Sequence, residues 1–151
     1  MPHLVPEPVR RRYPSAPLLG VITAVFRDDR VLLVKRRTQP NAGLWAMPGG
    51  LVELGETLAE AAAREVREET NLAVEDVRFL RCLEIVLRDK DNHVERHFVL
   101  AAHAALSPAG LAVAGDDAEA VMWADDEALA GLPLVRNARA VLRDGRAAFG
   151  L

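Results

Sequence analysis

Cysteine is almost absent from this sequence of 151 residues, in which Cys82 is the single example. One cysteine cannot form a disulfide within the chain, so intrachain crosslinking is excluded. The chain is long enough to form one domain around one hydrophobic core. Because the lack of disulfides is typical of proteins in a reducing compartment, we expect a cytoplasmic protein.

Long apolar runs are also missing. The apolar run at residues 16–26 is shorter than the roughly 20 residues that a membrane-spanning helix needs. Three arginines at residues 10–12 precede it, as in a secretory signal, but the run follows Pro14 and Pro17 and lacks a clear small-residue cleavage site. We therefore expect neither a signal peptide nor a membrane partner.

Charge of one sign does not dominate the sequence. The formal net charge is -3 at pH 7, and 27% of the residues are charged. This balance is ordinary for a globular domain and gives no reason to expect a nucleic acid polymer as partner.

The order of apolar runs and turn residues predicts one domain. Residues 1–17 are rich in proline and predict an irregular arm, which leaves residues 18–151 as a single domain. The predicted strands are residues 18–26, 31–35, 77–87, 94–105 and 120–123. The predicted helices are residues 58–70, 125–129 and 134–149. This order predicts an α+β fold, an α/β/α sandwich with a mixed β-sheet between helices.

Two segments near the middle of the chain are well marked. Residues 39–50 are rich in glycine and proline and predict a loop, with Trp45 and Met47 buried in its middle. The helix at residues 58–70 follows a capping-box pattern, with Thr57 as the N-cap residue. Asn71 can adopt the left-handed conformation that ends a helix.

The helix at residues 58–70 carries an acidic face. Glu65, Glu68 and Glu69 are spaced i, i+3 and i+4, so their side chains share one side of the helix. At an effective dielectric constant near 20 and roughly 6 Å, each pair repels by about 3 kcal/mol. A solvated acidic face is the alternative, but the glycines just before the helix favour a divalent cation with oxygen ligands.

The segment at residues 50–72, GLVELGETLAEAAAREVREETNL, resembles the Nudix box of the Nudix hydrolases. That motif reads Gly, five residues, Glu, seven residues, Arg-Glu, an aliphatic residue, one residue, Glu-Glu, one residue, Gly and an aliphatic residue. Its positions correspond here to Gly50, Glu56, Arg64, Glu65, Val66, Glu68, Glu69, Asn71 and Leu72. Only the last glycine differs, and asparagine tolerates the same backbone conformation. The upstream GLWAMPGG and the downstream VMWADDEAL are also similar to the family.

The resemblance implies a Nudix fold, with the box as a loop–helix–loop, and a Mg²⁺- or Mn²⁺-dependent hydrolase. Its substrate would be a nucleoside diphosphate linked to another group. The implied metal ligands are the carboxylates of Glu65, Glu68 and Glu69 and the carbonyl of Gly49. Arg64 and Glu56 would support the loop and orient the glutamates, and the alternative for Arg64 is a surface ion pair with Glu60. A homodimer is expected from the family alone.

Two positions are candidates for the catalytic base. Glu68 can both ligate the metal and take a proton from water. In some members of the family the base lies on a later loop, where Asp117 follows Gly115 and Asp116 in this chain. The alternative for Asp117 is a turn before the strand at residues 120–123.

Four residues are candidates for contact with the substrate, namely Arg36, Arg37, Trp45 and Gly50. Arg36 and Arg37 end a strand near the glycine-rich segment and can reach phosphate, although alternation along a strand turns only one of them inward. Trp45 can stack on a base or, alternatively, anchor its loop in the core.

The resemblance is strongest to small ADP-ribose pyrophosphatases, which implies ADP-ribose or a nucleotide sugar as substrate. The proline that marks some ADP-ribose enzymes is absent near Leu87, and the tyrosine that marks dinucleoside-polyphosphate enzymes is absent near Arg88. A nucleoside-triphosphate pyrophosphatase that cleanses the nucleotide pool is therefore the alternative. A non-catalytic nucleotide-binding Nudix module is more remote, because such modules usually lose box glutamates.

Overall fold

The computed structural model describes residues 8–115 and 117–151, which form seven strands and three helices. The strands are β1 (Leu18–Arg27), β2 (Arg30–Arg36), β3 (Trp45–Ala46), β4 (Gly49–Leu51), β5 (Glu75–Arg88), β6 (Val94–Leu106) and β7 (Ala118–Ala124). The helices are α1 (Leu58–Thr70), α2 (Asp126–Gly131) and α3 (Ala138–Phe149). No helix in this described part of the chain is long and apolar enough to cross a membrane.

All seven strands belong to one mixed sheet, whose main order is β3-β2-β1-β6-β5. β1 pairs in parallel with β6, from Leu18 to Phe26. The other edge of β1 is shared, because β4 pairs with Gly20–Ile22 and β2 pairs with the last residues of the strand. β7 pairs antiparallel with β2. The glycine-containing strand β4 is thus fixed against the centre of the sheet.

Helices cover both faces of the sheet, as the alternation along β1 requires. Val21 is fully buried and packs with alanines of α1. Phe26 points to the opposite face, where it packs with Val141 and Leu142 of α3. The predicted sandwich with a mixed sheet between helices is confirmed.

The prediction of a loop at residues 39–50 is partly wrong, because this segment contains the short strands β3 and β4. Met47 is buried as expected, whereas Trp45 is only partly buried. Strands of two and three residues are too short to show the alternation by which a strand is recognised in a sequence. They are defined by pairing with β2 and β1 instead.

The last helix begins at Ala138 and not at residue 134. The N–H of Trp45 donates to the carbonyl of Pro133, and the N–H of Val135 donates to the carbonyl of Trp45, each at 2.9 Å. Residues 133–135 therefore extend beside β3, and Asn137, with φ of 70°, turns the chain into the helix. The apolar spacing before residue 138 arises from this contact with the sheet and not from helix.

The described part of the arm, residues 8–17, contains neither helix nor strand. The N–H of Tyr13 donates to the carbonyl of Glu95 on β6 at 2.7 Å. This part of the arm therefore lies against the hairpin that β5 and β6 form.

Candidate metal and phosphate site

Helix α1 begins and ends where the sequence predicts. The hydroxyl of Thr57 accepts a hydrogen bond from the N–H of Glu60 at 3.2 Å, which satisfies one free donor of the first turn. Asn71 has φ of 64°, and its N–H donates to the carbonyl of Arg67. The left-handed asparagine thus takes the place of the glycine in the family motif.

The box glutamates lie outside the buried side of α1, and Glu65 and Glu69 reach the glycines of β4. Its buried residues are Ala61, Ala62, Val66 and Thr70. The side chain of Glu65 is 13% exposed and that of Glu68 is 55% exposed. The acidic face therefore runs from a nearly enclosed carboxylate to one in contact with solvent.

Two glycines of β4 allow the strand to approach its neighbours closely. A Cβ atom on Gly49 would overlap the carbonyl oxygen of Val21, and one on Gly50 would overlap the carboxylate of Glu65. The N–H of Gly49 donates to Oε2 of Glu69 at 3.4 Å, which is a long hydrogen bond. Glycine at position 49 leaves room for the backbones of β1 and β4 to meet, and glycine at position 50 lets the Glu65 carboxylate keep its place.

Arg64 ties the loop before α1 to the helix. Its Nε and Nη2 atoms donate to the two carboxylate oxygens of Glu56 at 2.7 and 2.9 Å, a bidentate pair. Nη2 also donates to the carbonyl of Leu51 at 2.9 Å. These hydrogen bonds raise the pKa of Arg64 and lower the pKa of Glu56. One guanidinium thus connects β4, the loop and α1.

Arg64 also reaches the acidic face. Its Nη1 atom donates to Glu65 at 2.8 Å and to Glu68 at 3.1 Å. The alternative of a surface ion pair with Glu60 is wrong, because the side chain turns back toward the loop and is only 21% exposed. The spacing of Glu60 and Arg64 along the helix did not predict this, because a long arginine side chain can reach groups beyond its neighbours on the helix.

A cavity of about 770 Å³ opens between α1, β4 and the end of β2. Its walls carry opposite charges. The acidic wall consists of Glu53, Glu65, Glu68 and Glu69, and the guanidinium of Arg64 lies among them. The basic wall consists of Arg11, Lys35, Arg36 and Arg37, and Asp117 lies beside it, because its neighbour Ala118 pairs with Arg36. Such a cavity can hold a cation on one side and an anionic group on the other.

At the inner end of the acidic wall, burial outweighs the nearby positive charge. Burial, followed by the negative charge of Glu65, raises the pKa of Glu69 to about 8, although the N–H of Gly49 and the charge of Arg36 oppose this. Burial also raises the pKa of Glu65. Carboxylates that are costly to ionise in this way suit a hard divalent cation such as Mg²⁺ or Mn²⁺, which prefers oxygen ligands.

The basic wall is built at a register shift between β2 and β7. The shift lies between Lys35 and Arg36, so the simple alternation expected for Arg36 and Arg37 is broken there. Arg36 is half-buried and its Nε donates to the carbonyl of Pro40 at 2.9 Å. Arg37 is exposed and its Nη2 lies 3.4 Å from the carbonyl of Ala118. Both arginines therefore line the cavity.

Asp117 reaches the cavity because its loop is attached to the end of α1. The N–H groups of Val113 and Gly115 donate to the carbonyls of Thr70 and Glu69, at 2.9 and 2.8 Å. These bonds satisfy two free acceptors of the last helical turn. The N–H of Ala118 closes a turn on the carbonyl of Gly115 at 3.2 Å, so Asp117 lies in a turn and also lines the cavity. Asp116 lies outside the described residues.

Trp45 is not among the residues that line this cavity in the described part of the chain. Its side chain packs against the core cluster on the α3 face of the sheet. The expectation that Trp45 stacks on the substrate is therefore withdrawn in favour of the alternative, a residue that anchors its segment in the core. Its backbone pairing with residues 133–135 explains that position.

Three charged residues of the cavity, namely Lys35, Glu53 and Arg11, were not identified from the sequence. Lys35 directly precedes the candidate Arg36 on β2. Glu53 lies in the loop before α1, where its N–H donates to Glu56 at 2.8 Å, and it falls on no fixed position of the box. Arg11 belongs to the run of arginines at residues 10–12, which suggested only a signal-like flank. No local pattern indicates that Glu53 or Arg11 faces the cavity.

A second acidic group lies in the turn between β5 and β6. Ligand atoms of Asp89, Asp91 and His93 lie within 4.8 Å of one another. Oδ1 of Asp89 already accepts the N–H groups of Asp91 and His93, each at 2.9 Å, and its Oδ2 accepts the hydroxyl of Tyr13. This carboxylate therefore organises the turn, and the box glutamates are the better candidates for metal ligands.

Comparison with known proteins gives a consistent result. The family model of the NUDIX domain matches residues 16–144. An ADP-ribose pyrophosphatase of Methanocaldococcus jannaschii is 40% identical over 78 residues, which cover 52% of this chain and 46% of that protein. The NAD-capped RNA hydrolase NudC of Edwardsiella ictaluri is 43% identical over 72 residues, which cover 47% of this chain and 27% of that protein. The chain thus spans less than half the length of these two relatives.

Two solved structures have the same architecture. The MutT NUDIX hydrolase of Burkholderia pseudomallei is 32% identical, with a TM-score of 0.72 and coverage of 86% of this chain and 98% of that one. The NUDIX domain of NrtR from Shewanella oneidensis, complexed with ADP ribose, has a TM-score of 0.75 at 24% identity, over 89% and 90% of the two chains. The second likeness concerns the fold alone. The family model matches most of this chain, and every box glutamate is in place. The chain therefore belongs to the Nudix hydrolase family.

Proposed function

We propose that the protein is a Mg²⁺- or Mn²⁺-dependent pyrophosphohydrolase that cleaves the diphosphate of a nucleoside diphosphate linked to another group. The observation that carries this proposal is the cavity with opposed charges, in which the glutamates of α1 face the arginines that end β2. A metal–diphosphate complex has the matching distribution of charge. The cavity belongs to one chain, and the proposal does not depend on a dimer.

The proposed metal ligands are the carboxylates of Glu65, Glu68 and Glu69 and the carbonyl of Gly49. A bound divalent cation would neutralise charge on the diphosphate and make a bound water a better nucleophile. The raised pKa of Glu69 supports this assignment, because a cation would compensate the cost of ionising a buried carboxylate beside Glu65. Arg64 and Glu56 hold the loop, and Arg64 also fixes the direction of Glu65 and Glu68.

The proposed phosphate contacts are Arg36 and Arg37. Arg36 is held by the carbonyl of Pro40 and lies close enough to Glu69 for its charge to oppose the raised pKa of that carboxyl. It is therefore placed next to the metal end of the cavity. Gly50 lines the cavity without a side chain, which lets the carboxylate of Glu65 lie directly against the backbone of β4.

The proposed base is Glu68. Its carboxylate is the most exposed of the three carboxylates proposed as metal ligands. Arg64 donates to its Oε2 atom, and no hydrogen bond to its Oε1 atom is found in the described part of the chain. The remaining oxygen is available to take the proton from an attacking water. Asp117 is the second candidate, because its loop is fixed to the end of α1 and faces the same cavity.

The proposed substrate class is ADP-ribose or a nucleotide sugar. The relative from Methanocaldococcus jannaschii is named an ADP-ribose pyrophosphatase, and relatives named NAD-capped RNA hydrolase act on a group that contains the same adenosine diphosphate–ribose unit. These names belong to longer proteins matched over part of their length. A nucleoside-triphosphate pyrophosphatase is the second candidate.

A substrate panel tests the proposal. The purified protein, with Mg²⁺ and then with Mn²⁺, is incubated with ADP-ribose, NAD, nucleotide sugars, nucleoside triphosphates and dinucleoside polyphosphates, and products are separated by ion-exchange chromatography. We expect AMP and ribose 5-phosphate from ADP-ribose, and no product when EDTA replaces the metal.

The panel also separates the alternatives. Release of pyrophosphate from nucleoside triphosphates with no product from ADP-ribose would support the second candidate. Binding of a nucleotide without any product would contradict the proposed activity and support the non-catalytic module. The variant Glu68→Gln serves as the control for contaminating hydrolases.

A further inference from the structure

The N-terminal arm is fastened to the β5–β6 hairpin by three hydrogen bonds. The N–H of Tyr13 donates to the carbonyl of Glu95, and its hydroxyl donates to Oδ2 of Asp89, each at 2.7 Å. Nε of Arg12 donates to Oε1 of Glu95 at 2.8 Å. Two consecutive residues of the arm are thus attached to opposite ends of one hairpin turn. This part of the arm therefore has a defined path.

The backbone at Tyr13 shows that the attachment sets the direction of the arm. Tyr13 has φ of 51°, in the left-handed region that a tyrosine rarely adopts. Such a conformation persists where surrounding contacts hold it, and the bonds to Asp89 and Glu95 supply those contacts. The chain before Tyr13 is turned back toward the metal cavity as a result.

This turn brings Arg11 to the wall of the cavity, next to Val9. Arg12, its neighbour, is paired with Glu95, whereas no hydrogen bond or ion pair of Arg11 is found among residues 8–115 and 117–151. Burial lowers the pKa of Arg36, and the negative charge of Glu69 opposes this. The positive charge of Arg11 lowers the pKa of Arg36 further, so the two guanidinium groups are close. The charge of Arg11 also opposes the raised pKa of Glu65, but no hydrogen bond or ion pair joins these two residues in the described part of the chain. The repelling guanidinium groups of Arg11 and Arg36 at one cavity indicate a place for an anion.

We infer that the arm is a substrate-recognition element, in which Arg11 binds a phosphate oxygen of the substrate and Tyr13 positions Arg11. This inference rests on the proposed function, since it assigns the anion to the substrate of the same cavity. Guanidinium groups suit this task because they donate to two phosphate oxygens at once. The arm would thus add a phosphate contact from outside the box and outside the sheet.

The variant Arg11→Gln tests the contact directly, with Arg10→Gln as the matched control from the same arm. Arg10 is exposed and does not line the cavity. With the best substrate of the panel, we expect Arg11→Gln to raise KM roughly tenfold or more, as the loss of a charge-assisted hydrogen bond predicts, with kcat changed less than KM. Arg10→Gln should keep the KM of the unaltered protein.

The variant Tyr13→Phe tests the positioning role, because it removes only the hydroxyl that donates to Asp89. We expect a smaller rise in KM in the same direction. In the Tyr13→Phe background, the further change Arg11→Gln should raise KM by a smaller factor than it does alone, since the two residues act through one contact. If Arg11→Gln raised KM by the same factor with and without Tyr13→Phe, Tyr13 would have no role in positioning Arg11. Thermal unfolding of each variant checks that the fold is retained.

Direct binding separates this inference from the proposed activity. Methylenediphosphonate resists hydrolysis at its bridging carbon, and its affinity in the presence of Mg²⁺ can be measured by calorimetry at several salt concentrations. We expect Arg11→Gln to weaken this binding and to reduce its dependence on salt, because one cationic contact is lost. If no panel substrate is hydrolysed but this loss is observed, the proposed function fails and the role of Arg11 stands. Equal KM and equal affinity in Arg11→Gln and Arg10→Gln would overturn the role of Arg11 whatever the activity.

Discussion

At the scale of single residues, Glu68 is the proposed metal ligand whose carboxylate is most exposed to solvent. We predict that Glu68→Gln lowers kcat by roughly 100-fold or more, because the amide cannot take a proton and is a poorer ligand. Its free energy of unfolding in metal-free buffer should change by less than about 1 kcal/mol, since the Glu68 side chain is 55% exposed and Arg64 keeps its bonds to Glu56 and Glu65. Steady-state kinetics and urea unfolding measure the two effects.

The control for this prediction is Glu60→Gln on the same helix. Glu60 is exposed, and its contact with Thr57 uses the backbone N–H and not the carboxylate. Turnover in Glu60→Gln should match the unaltered protein. Turnover close to normal in Glu68→Gln would remove that residue from the mechanism and turn attention to Asp117.

The raised pKa of Glu69 predicts that the protein becomes less stable as pH rises above 5. Its pKa is about 8 in the folded, metal-free protein and 4.5 ordinarily, so between these values the folded state binds more protons than the unfolded state. The free energy of unfolding should therefore fall as pH rises from about 5 to about 8, by at most on the order of 1 kcal/mol per pH unit.

Urea unfolding in EDTA across this range measures that dependence, with Glu69→Gln as the comparison. The variant has no carboxyl at this position, so its free energy of unfolding should fall less. Taking the difference between the two proteins removes shared contributions such as that of His103, whose pKa is lowered by burial. Parallel curves would contradict the assignment of the raised pKa to Glu69.

At the scale of elements, the loop between β6 and β7 packs closely against the end of α1. The box motif, which covers residues 50–72, does not predict this contact. A Cβ atom on Gly115 would overlap the carbonyl oxygen of Glu68, which is backbone and cannot move aside easily. We predict that Gly115→Ala destabilises the fold by about 1–3 kcal/mol, as overpacking does. It should also lower kcat, because Asp117 and the end of α1 would move apart.

Gly131→Ala is the matched control for that substitution. A Cβ atom on Gly131 meets no atom within 4 Å, and its φ is not left-handed. Stability and kcat of Gly131→Ala should therefore be close to those of the unaltered protein. A Gly115→Ala protein that is equally stable and active would show that the loop can retreat from α1 without consequence.

The elements also show how far local sequence patterns reach. Both ends of helix α1 agree with the prediction, because its N-cap, its buried side and its C-cap are all encoded within residues 57–71. The start of α3 was not, because residues 133–135 take their conformation from β3, nearly 90 residues earlier in the chain. Contacts of that kind leave no local periodicity to read.

At the scale of the whole molecule, metal binding should stabilise the fold, because the glutamates that repel each other are brought together only in the folded state. We predict that Mg²⁺ at about 100 times its dissociation constant adds roughly 2.7 kcal/mol to the free energy of unfolding. Differential scanning calorimetry with Mg²⁺, against NaCl at equal ionic strength, measures this. The effect should be much smaller in the double variant Glu65→Gln, Glu69→Gln.

Loss of the Mg²⁺ effect in the double variant, with retained fold, would support these glutamates as the ligands. An undiminished effect would place the metal elsewhere, and the turn with Asp89 and His93 would then be the next position to test. The homodimer expected from the family stays a prediction at this scale, and sedimentation equilibrium measures it.

The sequence by itself determined the helix of the box, the three glutamates on one of its sides and the sandwich of helices around a mixed sheet. These features follow from spacing within short segments, where chain geometry fixes which side chains share a face. Tertiary structure decided which of the other candidates line the cavity with the glutamates, and it added Arg11. Arg11, Arg36 and Asp117 come from an arm, a strand end and a late loop, and each reaches the cavity through backbone pairing with a distant part of the chain. Trp45 is turned into the core by the same kind of pairing, for which no local signal exists.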